Sequence, residues 1–362
     1  MSTLANIIWI LTYSLISIGL AMLLYPLYIK LLRKLKAGKT IRENNATGEK
    51  SEIFAKLHSH KAGTPTMGWG LFMVIMLIMI WLSFILQKKG IITYSLRNSK
   101  ETYIILFGFF SMWLIGLVDD WLNIKNFWKI KWLSAKAKMT GMILFSAFIS
   151  YWFYVKLGID YINLRPLWWK IEIWIFFPIL TFLTTIGIVN AINITDGLDG
   201  LAGGLIIIVL WCLGISTFLN GTYIATTIIS ILISVLVAFL FYNINPAKVF
   251  MGDSWAFALG GIVASLLYLL NMRFWIIIPF IIIFWVFILE FLSSGLQIFW
   301  KKILKRKLFV VAPFHHLLEY KGMQESTIVM KIWLIQAILG IIWVIFILVQ
   351  YLTLKHPIIY IS

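Results

Sequence analysis

Apolar runs of roughly 20 residues recur along nearly the whole 362-residue chain, and they leave the backbone few options. Water is absent from the hydrocarbon core of a bilayer, so each amide there must be satisfied internally, by a helix or by a closed barrel. Runs this long read as helical spans. Ten qualify, over residues 4–28, 68–87, 102–118, 139–157, 173–190, 200–219, 223–242, 255–272, 274–299 and 328–353. The expected fold class is all-α, a polytopic integral membrane protein with ten transmembrane helices that form a single transmembrane domain over residues 1–362. The first run, Ala5 to Tyr28, is too long for a signal peptide and ends without a small-residue cleavage site, so it reads as a retained span. A hydrophobic fraction of 61% lies well above the roughly 45–50% of soluble domains and excludes that class.

Charge sets the orientation, because an excess of Lys and Arg marks cytoplasmic loops. The loops after runs 1, 3, 5, 7 and 9 hold 22 of the 31 basic residues, so both termini are expected outside the cytoplasm. The net charge of +17 is then accounted for by basic loops beside anionic lipid, and no nucleic-acid partner is expected. Cys212 is the one cysteine and lies within an apolar run, which leaves neither a disulfide framework nor a cysteine-based metal site.

On this map Asp119, Asp120, Asp196, Asp199 and Asp253, five of the six aspartates, fall at cytoplasmic ends of spans. Four of the five histidines, His58, His60, His315 and His316, fall in cytoplasmic loops. Active-site loops are therefore expected on the cytoplasmic face. The stretch Asn190 to Gly204 concentrates Asn190, Asn193, Thr195, Asp196 and Asp199 between two apolar runs. A turn at Asp196-Gly197 and a helix cap at Asp199 would explain part of it. A transporter would instead place ionisable groups near the midplane. Glu290 is the only carboxylate within a span, shortly before Ser293-Ser294-Gly295, where the overlong ninth run reads either as a helix broken beside a groove or as a tilted helix with a buried Glu. The outer segment Gly158 to Glu172, with Tyr161, Trp168 and Trp169 beside Arg165 and Lys170, has the composition of an interfacial aromatic belt.

Asp119-Asp120 closes the third run. Carboxylates at a helix C-terminus oppose the macrodipole and gain nothing as caps, whereas a neighbouring pair suits metal-linked phosphate chemistry or a base of raised pKa. Asp253, in Val-Phe-Met-Gly-Asp-Ser (249–254), fits both a helix N-cap and a metal ligand at a helix N-terminus, where phosphate is also welcome. Scattered aspartates without a dedicated cage suit Mg²⁺ better than zinc. Lys61 and the hydroxyls of Gly-Thr-Pro-Thr-Met-Gly (63–68) offer a phosphate or nucleotide contact, and His315 and His316 could bind phosphate, transfer protons or ligate metal. Lys125, Lys129, Lys131, Lys136 and Lys138 read chiefly as topology signals, with one or two able to face the aspartates.

These motifs, together with Val-Asp-Asp (118–120), Asn-Ala-Ile-Asn-Ile-Thr-Asp-Gly-Leu-Asp-Gly-Leu-Ala (190–202) and Ala-Pro-Phe-His-His (312–316), come in an order that resembles the phospho-N-acetylmuramoyl-pentapeptide transferase family over nearly the whole chain. That family lies within the polyprenyl-phosphate N-acetylhexosamine-1-phosphate transferases. The resemblance implies a Mg²⁺-dependent enzyme of the bacterial inner (cytoplasmic) membrane. Such an enzyme transfers phospho-N-acetylmuramoyl-pentapeptide from UDP-MurNAc-pentapeptide to undecaprenyl phosphate, giving lipid I and UMP in the first membrane step of peptidoglycan synthesis. A homodimer is compatible with it. It further implies Asp253 as the Mg²⁺ ligand, Asp119 as base or nucleophile and Asp120 in support. Asn190, Asn193, Asp196, Asn243, His315 and His316 would line the site, and Lys61, Gly197, Leu198, Asp199 and Phe250 would contact the uridine part, with Thr66 nearby. The broken ninth span resembles the family's lipid groove. A sister transferase moving N-acetylglucosamine-1-phosphate would share the aspartates, but the Gly-Thr-Pro-Thr-Met and Ala-Pro-Phe-His-His stretches favour the muramoyl branch.

The chain departs from the family pattern at four places. Trp69 and Trp255 stand where the family has glycine, Leu317 where it has a third consecutive His, and its basic residue after the Asp pair is displaced, with Asn123 in that region and Lys125 beyond.

Overall fold

The computed structural model describes residues 3–38, 61, 63–68, 70–92, 95–97, 100–125, 135–164, 170–272 and 275–355. The helices are α1 (Thr3–Lys34), α2 (Gly70–Lys88), α3 (Lys100–Lys125), α4 (Ala135–Tyr151), α5 (Phe176–Thr195), α6 (Leu201–Leu219), α7 (Tyr223–Asn243), α8 (Asp253–Asn271), α9 (Ile277–Ile283), α10 (Trp285–Leu304), α11 (Phe314–Tyr320) and α12 (Glu325–Lys355). A π-helical turn, Trp152–Lys156, extends α4. Eight of the described helices, α1, α2, α3, α5, α6, α7, α8 and α12, are long and apolar enough to cross a membrane. The fourth expected span falls on α4 with its extension, and the ninth is divided between α9 and α10.

The bundle is arranged around α8. Its apolar window is 89% buried, against 17% for α1 and 28% for α12, so α8 is the hub and the other two present aliphatic faces outward. Helices α3 and α5 pack on α8, α1 pairs with α2 and α7, and α6 lies between α7 and α12. In lipid such contacts are held by van der Waals packing, which favours small residues where backbones meet. A Cβ on Gly261 would lie 2.1 Å from the Gly108 carbonyl oxygen, and one on Gly116 would lie 2.3 Å from Ser254 Cα. The second contact sits one turn before Asp119 and one residue after Asp253. It is what allows those two side chains to meet.

Trp255 does not enter the site. It is 1% exposed and packs edge-on against Phe72, with centroids 5.0 Å apart, and against Phe109 at 6.3 Å. The indole fills the space between α2, α3 and α8. Trp69 lies outside the described residues.

The break in the ninth span lies at Phe284 and not at Ser293-Ser294-Gly295, where the sequence placed it. Helix α10 runs through those three residues to Leu304. The Ser293 hydroxyl donates to the Glu290 carbonyl at 2.9 Å and accepts the Phe314 N–H at 3.1 Å, so it is satisfied without opening the helix. At Phe284 the backbone departs from helical geometry, with φ −99° and ψ 6°. Buried Gln336 of α12 donates its amide to the Ile283 carbonyl at 2.7 Å and replaces the missing intrahelical donor.

The segment between α4 and α5 forms a short hairpin, β1 (Tyr161–Asn163) against β2 (Lys170–Glu172), antiparallel with Ile162 opposite Ile171. Lys170 lies 3.8 Å from the Tyr161 ring centroid. Asn271 at the end of α8 ties the hairpin down by accepting the Asn163 N–H and donating to the Tyr161 carbonyl. Arg165, Trp168 and Trp169 lie outside the described residues.

Candidate active site

Because Gly116 lets α3 touch the start of α8, Asp119 and Asp253 face a common ammonium. Lys138 Nζ, from the first turn of α4, lies 2.6 Å from Asp119 Oδ2 and 2.5 Å from Asp253 Oδ2. Asn193, in the last turn of α5, donates its amide to Asp253 Oδ1 at 3.2 Å. Burial works against the charge on Lys138, but Asp253 and Asp119 outweigh it, and the amine is held above its ordinary pKa and charged at neutral pH. Two carboxylates against one ammonium leave the group net negative. Asp119 is 1% exposed, whereas the Asp253 side chain is 30% exposed and forms the open side.

This donor set fits a magnesium ion, which takes one or two carboxylates and completes its shell with water and phosphate oxygens. Among the described residues no group of three or more His, Cys, Asp or Glu forms a cage. Asp120 belongs to α3, with its side chain outside the described atoms, as are Lys125, Lys129 and Lys131.

The turn after α5 joins this centre to the histidines. A Cβ on Gly197 would lie 2.2 Å from His315 Nε2, so only glycine allows the imidazole to sit against this backbone. His315, fully buried in α11, holds Glu290 Oε2 through Nδ1 at 2.9 Å and through its backbone N–H at 3.3 Å. Its Nε2 has no partner among the described residues. His316 stacks edge-on to His315 and bonds Glu319 through Nδ1 at 2.6 Å. Leu317 follows in the same helix, half-buried. His58 and His60 lie outside the described residues.

Two residues further along, Asp199 enters a second charged group. Lys61 Nζ lies 2.8 Å from Asp199 Oδ1 and 2.5 Å from Glu325 Oε1. Asp199 Oδ2 also accepts the Ala247 N–H at 3.0 Å and the Asn245 amide at 3.2 Å. The residues 193 to 199 thus touch all three groups in turn.

The remaining expected residues divide between bracing and lining. Asn243 is buried, takes the Gly200 N–H on Oδ1 at 3.1 Å and donates to the Val249 carbonyl at 2.9 Å, which bolts α6 to the loop before α8. Phe250 pairs through its backbone with Pro65 and Gly68, and buried Thr66 donates its N–H to Ala37. Asn190 turns back on its own helix, donating to the Ile186 carbonyl at 2.9 Å. Leu198 is buried, and Asp196 ends α5 half-buried. Sequence reasoning left Glu325 out, took Glu290 as a span residue and counted Lys138 chiefly as a topology signal. The signal available for the two glutamates was the scarcity of acids, 14 in the chain, which makes any buried one unusual.

A family model described as glycosyl transferase family 4 matches residues 102–271, the segment from α3 to the end of α8. This places the chain among membrane-embedded transferases. Three relatives named phospho-N-acetylmuramoyl-pentapeptide-transferase define the branch: that of Clostridium acetobutylicum is 33% identical over 91% of this chain and 96% of its own length, that of Petrotoga mobilis 33% over the same shares, and that of Staphylococcus carnosus 32% over 91% and 96%. The chain belongs to the phospho-N-acetylmuramoyl-pentapeptide-transferase family.

Proposed function

We propose that this protein transfers phospho-N-acetylmuramoyl-pentapeptide from UDP-MurNAc-pentapeptide to undecaprenyl phosphate, giving lipid I and UMP. The observation that carries the reading is the meeting of Asp119 and Lys138, from α3 and α4, with Asp253, from the distant start of α8. A lipid phosphate that attacks a diphosphate must be positioned and its charge offset, and little covalent work falls to the protein. Asp253, with Asp119 beside it, would hold Mg²⁺, which when bound supplies charge neutralisation at the phosphate oxygens. Lys138 is already charged and would add a second positive centre. Asn193 orients Asp253, Asp119 accepts the proton of the lipid phosphate, and Asp120 supports it. His315 and His316 would face the sugar phosphate, with Asn190, Asp196 and Asn243 shaping the wall. Lys61, Thr66, Gly197, Leu198, Asp199 and Phe250 would form the uridine side. A lipid groove beside the divided ninth span, as the family resemblance implies, would admit the polyprenyl chain.

The test incubates purified protein with Mg²⁺, UDP-MurNAc-pentapeptide and undecaprenyl phosphate and follows UMP. Release that needs all three supports the reading. Release with UDP-N-acetylglucosamine in place of the muramoyl substrate would move the protein to the sister branch. The basic loops support a cytoplasmic active site and outer termini. In a Cys212→Ser background, cysteines at Ser51 and Ser326 should resist an impermeant thiol reagent in intact cells while one at Asn98 is labelled. The reverse pattern would invert the orientation.

A further inference from the structure

Glu325 opens α12 and belongs to none of the motifs considered above. An acidic residue in the first turn of a helix has an ordinary explanation, attraction to the helix dipole. Its hydrogen bonds, however, go to other segments. Oε1 accepts from Lys61 Nζ at 2.5 Å and from the Asp199 N–H at 2.6 Å, and Oε2 accepts from Asn245 Nδ2 at 3.1 Å. One carboxylate therefore fixes three remote pieces of chain, and its side chain is only 12% exposed.

Two consequences follow from this geometry. An ammonium has three N–H donors, and with Asp199 and Glu325 taking two, the direction of the third is set. The group as a whole is one ammonium against two carboxylates, nearly buried. A phosphate would meet a net negative charge there with no open side to admit a neutralising cation, whereas a neutral ring bearing hydrogen-bond donors and acceptors needs none. Such a site suits the base of a nucleotide, while the more open Asp253 side suits its phosphates. The turn that carries Asp199 is also gripped from the other side by His315 against Gly197, so the chain from α11 to the start of α12 clamps it at two points.

We propose that Glu325 is a positioning residue for recognition of the nucleotide base: without touching substrate, it aims the Lys61 ammonium and holds the turn at Asp199. This rests on the functional reading above. Glu325→Gln removes the charge at nearly constant volume, and binding of UMP to the purified full-length protein reads its effect by calorimetry. UMP should bind about tenfold more weakly, the size expected for loss of a charge-assisted contact, and KM for UDP-MurNAc-pentapeptide should rise alongside with kcat within about twofold. If Glu325 acts in part through Lys61, the pair Lys61→Met and Glu325→Gln should lose clearly less UMP affinity than the product of the two single losses. A generally structural role would instead multiply the two losses. Wild-type affinity in Glu325→Gln, or multiplying losses in the double variant, overturns the proposal. Failure of the wild-type protein to bind UMP overturns the functional reading and the proposal with it. If Glu325→Gln does not fold, Glu325→Asp keeps the charge but withdraws it by one methylene. Several-fold weaker UMP binding is then expected, and unchanged binding is the contrary result.

Discussion

Two groups, each made of one lysine and two carboxylates, lie at the end of α5, and they are held in different ways. In the first, Lys138 bridges Asp119 and Asp253, Asn193 donates its amide to Asp253, and the Asp253 side chain is 30% exposed. In the second, Lys61 bridges Asp199 and Glu325, and Ala247, Asn245 and the Asp199 N–H all add donors to the same carboxylates. The charges are equal and the exposure is not, since the side chains of Asp199 and Glu325 are only 4% and 12% exposed. A carboxylate pair with an open side can take a cation and a phosphate, which gives it capacity for chemistry. A pair saturated by backbone and side-chain donors is set in one geometry, which gives it selectivity.

The largest effect should come from removing charge at the open group. Asp253→Asn keeps the volume, so the chain should fold, while UMP release falls by about two orders of magnitude or more, the scale of losing a major electrostatic contributor. UMP affinity without Mg²⁺ should stay within about twofold, because the base side is intact. Near-normal turnover in Asp253→Asn would take this residue out of the metal site and erase the distinction between the groups.

The same two groups mark what could be read from the sequence. Asp119, Asp253 and Asp199 stood out because polar side chains are rare in a chain that is 61% hydrophobic, and the spans were legible because lipid permits only long apolar helices. Glu325 was not legible, because its partners at positions 61, 199 and 245 are chosen by tertiary packing and no local spacing encodes them. Lys138 was ambiguous for a related reason: a basic loop residue serves topology and chemistry alike. The break in the ninth span was misplaced because Ser293 bonds within its own helix and Gly295 meets no neighbour, while the actual break at Phe284 depends on Gln336, 52 positions further on. Trp255 stood where a glycine was expected and proved to be core, a fact fixed only by Phe72 and Phe109.

Asp119 offers the next largest effect, with a dependence on pH. A phosphate monoester has a second pKa of about 6, so near pH 7 the lipid phosphate is mostly a dianion and below that range carries a proton that must leave during attack. If Asp119 accepts it, Asp119→Asn should lose most activity at low pH, on the order of tenfold or more. Part should return as pH rises through the phosphate's own ionisation. If Asp119 were a covalent nucleophile, no pH would rescue the variant, and wild-type protein would release a stoichiometric burst of UMP without lipid acceptor. That burst, absent in Asp119→Asn, would replace direct attack with a two-step route.

Gly116→Ala asks whether the open group depends on helix approach. A Cβ there meets Ser254 backbone at 2.3 Å, so α3 must shift away from α8 and carry Asp119 from Asp253. A displacement near 1 Å is enough for a loss of about tenfold or more in kcat. Gly295→Ala is the control, since nothing lies within 4 Å of its added Cβ. Equal turnover in the two variants would show that the Asp119 to Asp253 spacing does not matter.

The smallest effect separates the groups most directly, because it compares two asparagines that do the same job in each. Asn245 donates to both carboxylates of the more buried group, yet it is exposed, so water can replace much of what its amide supplies. Asn245→Ala should therefore raise KM for UDP-MurNAc-pentapeptide by only about two- to fivefold, the equivalent of a modest net hydrogen bond, and leave kcat unchanged. Asn193 donates to Asp253 alone, on the side proposed to take the phosphates. Asn193→Ala should lower kcat with little change in KM, because the carboxylate it orients serves the transfer step. Steady-state kinetics on the two variants side by side reads both quantities. If Asn245→Ala moved kcat, or Asn193→Ala moved only KM, then binding and transfer would not be divided between these two groups, and the difference in their exposure would have no functional meaning.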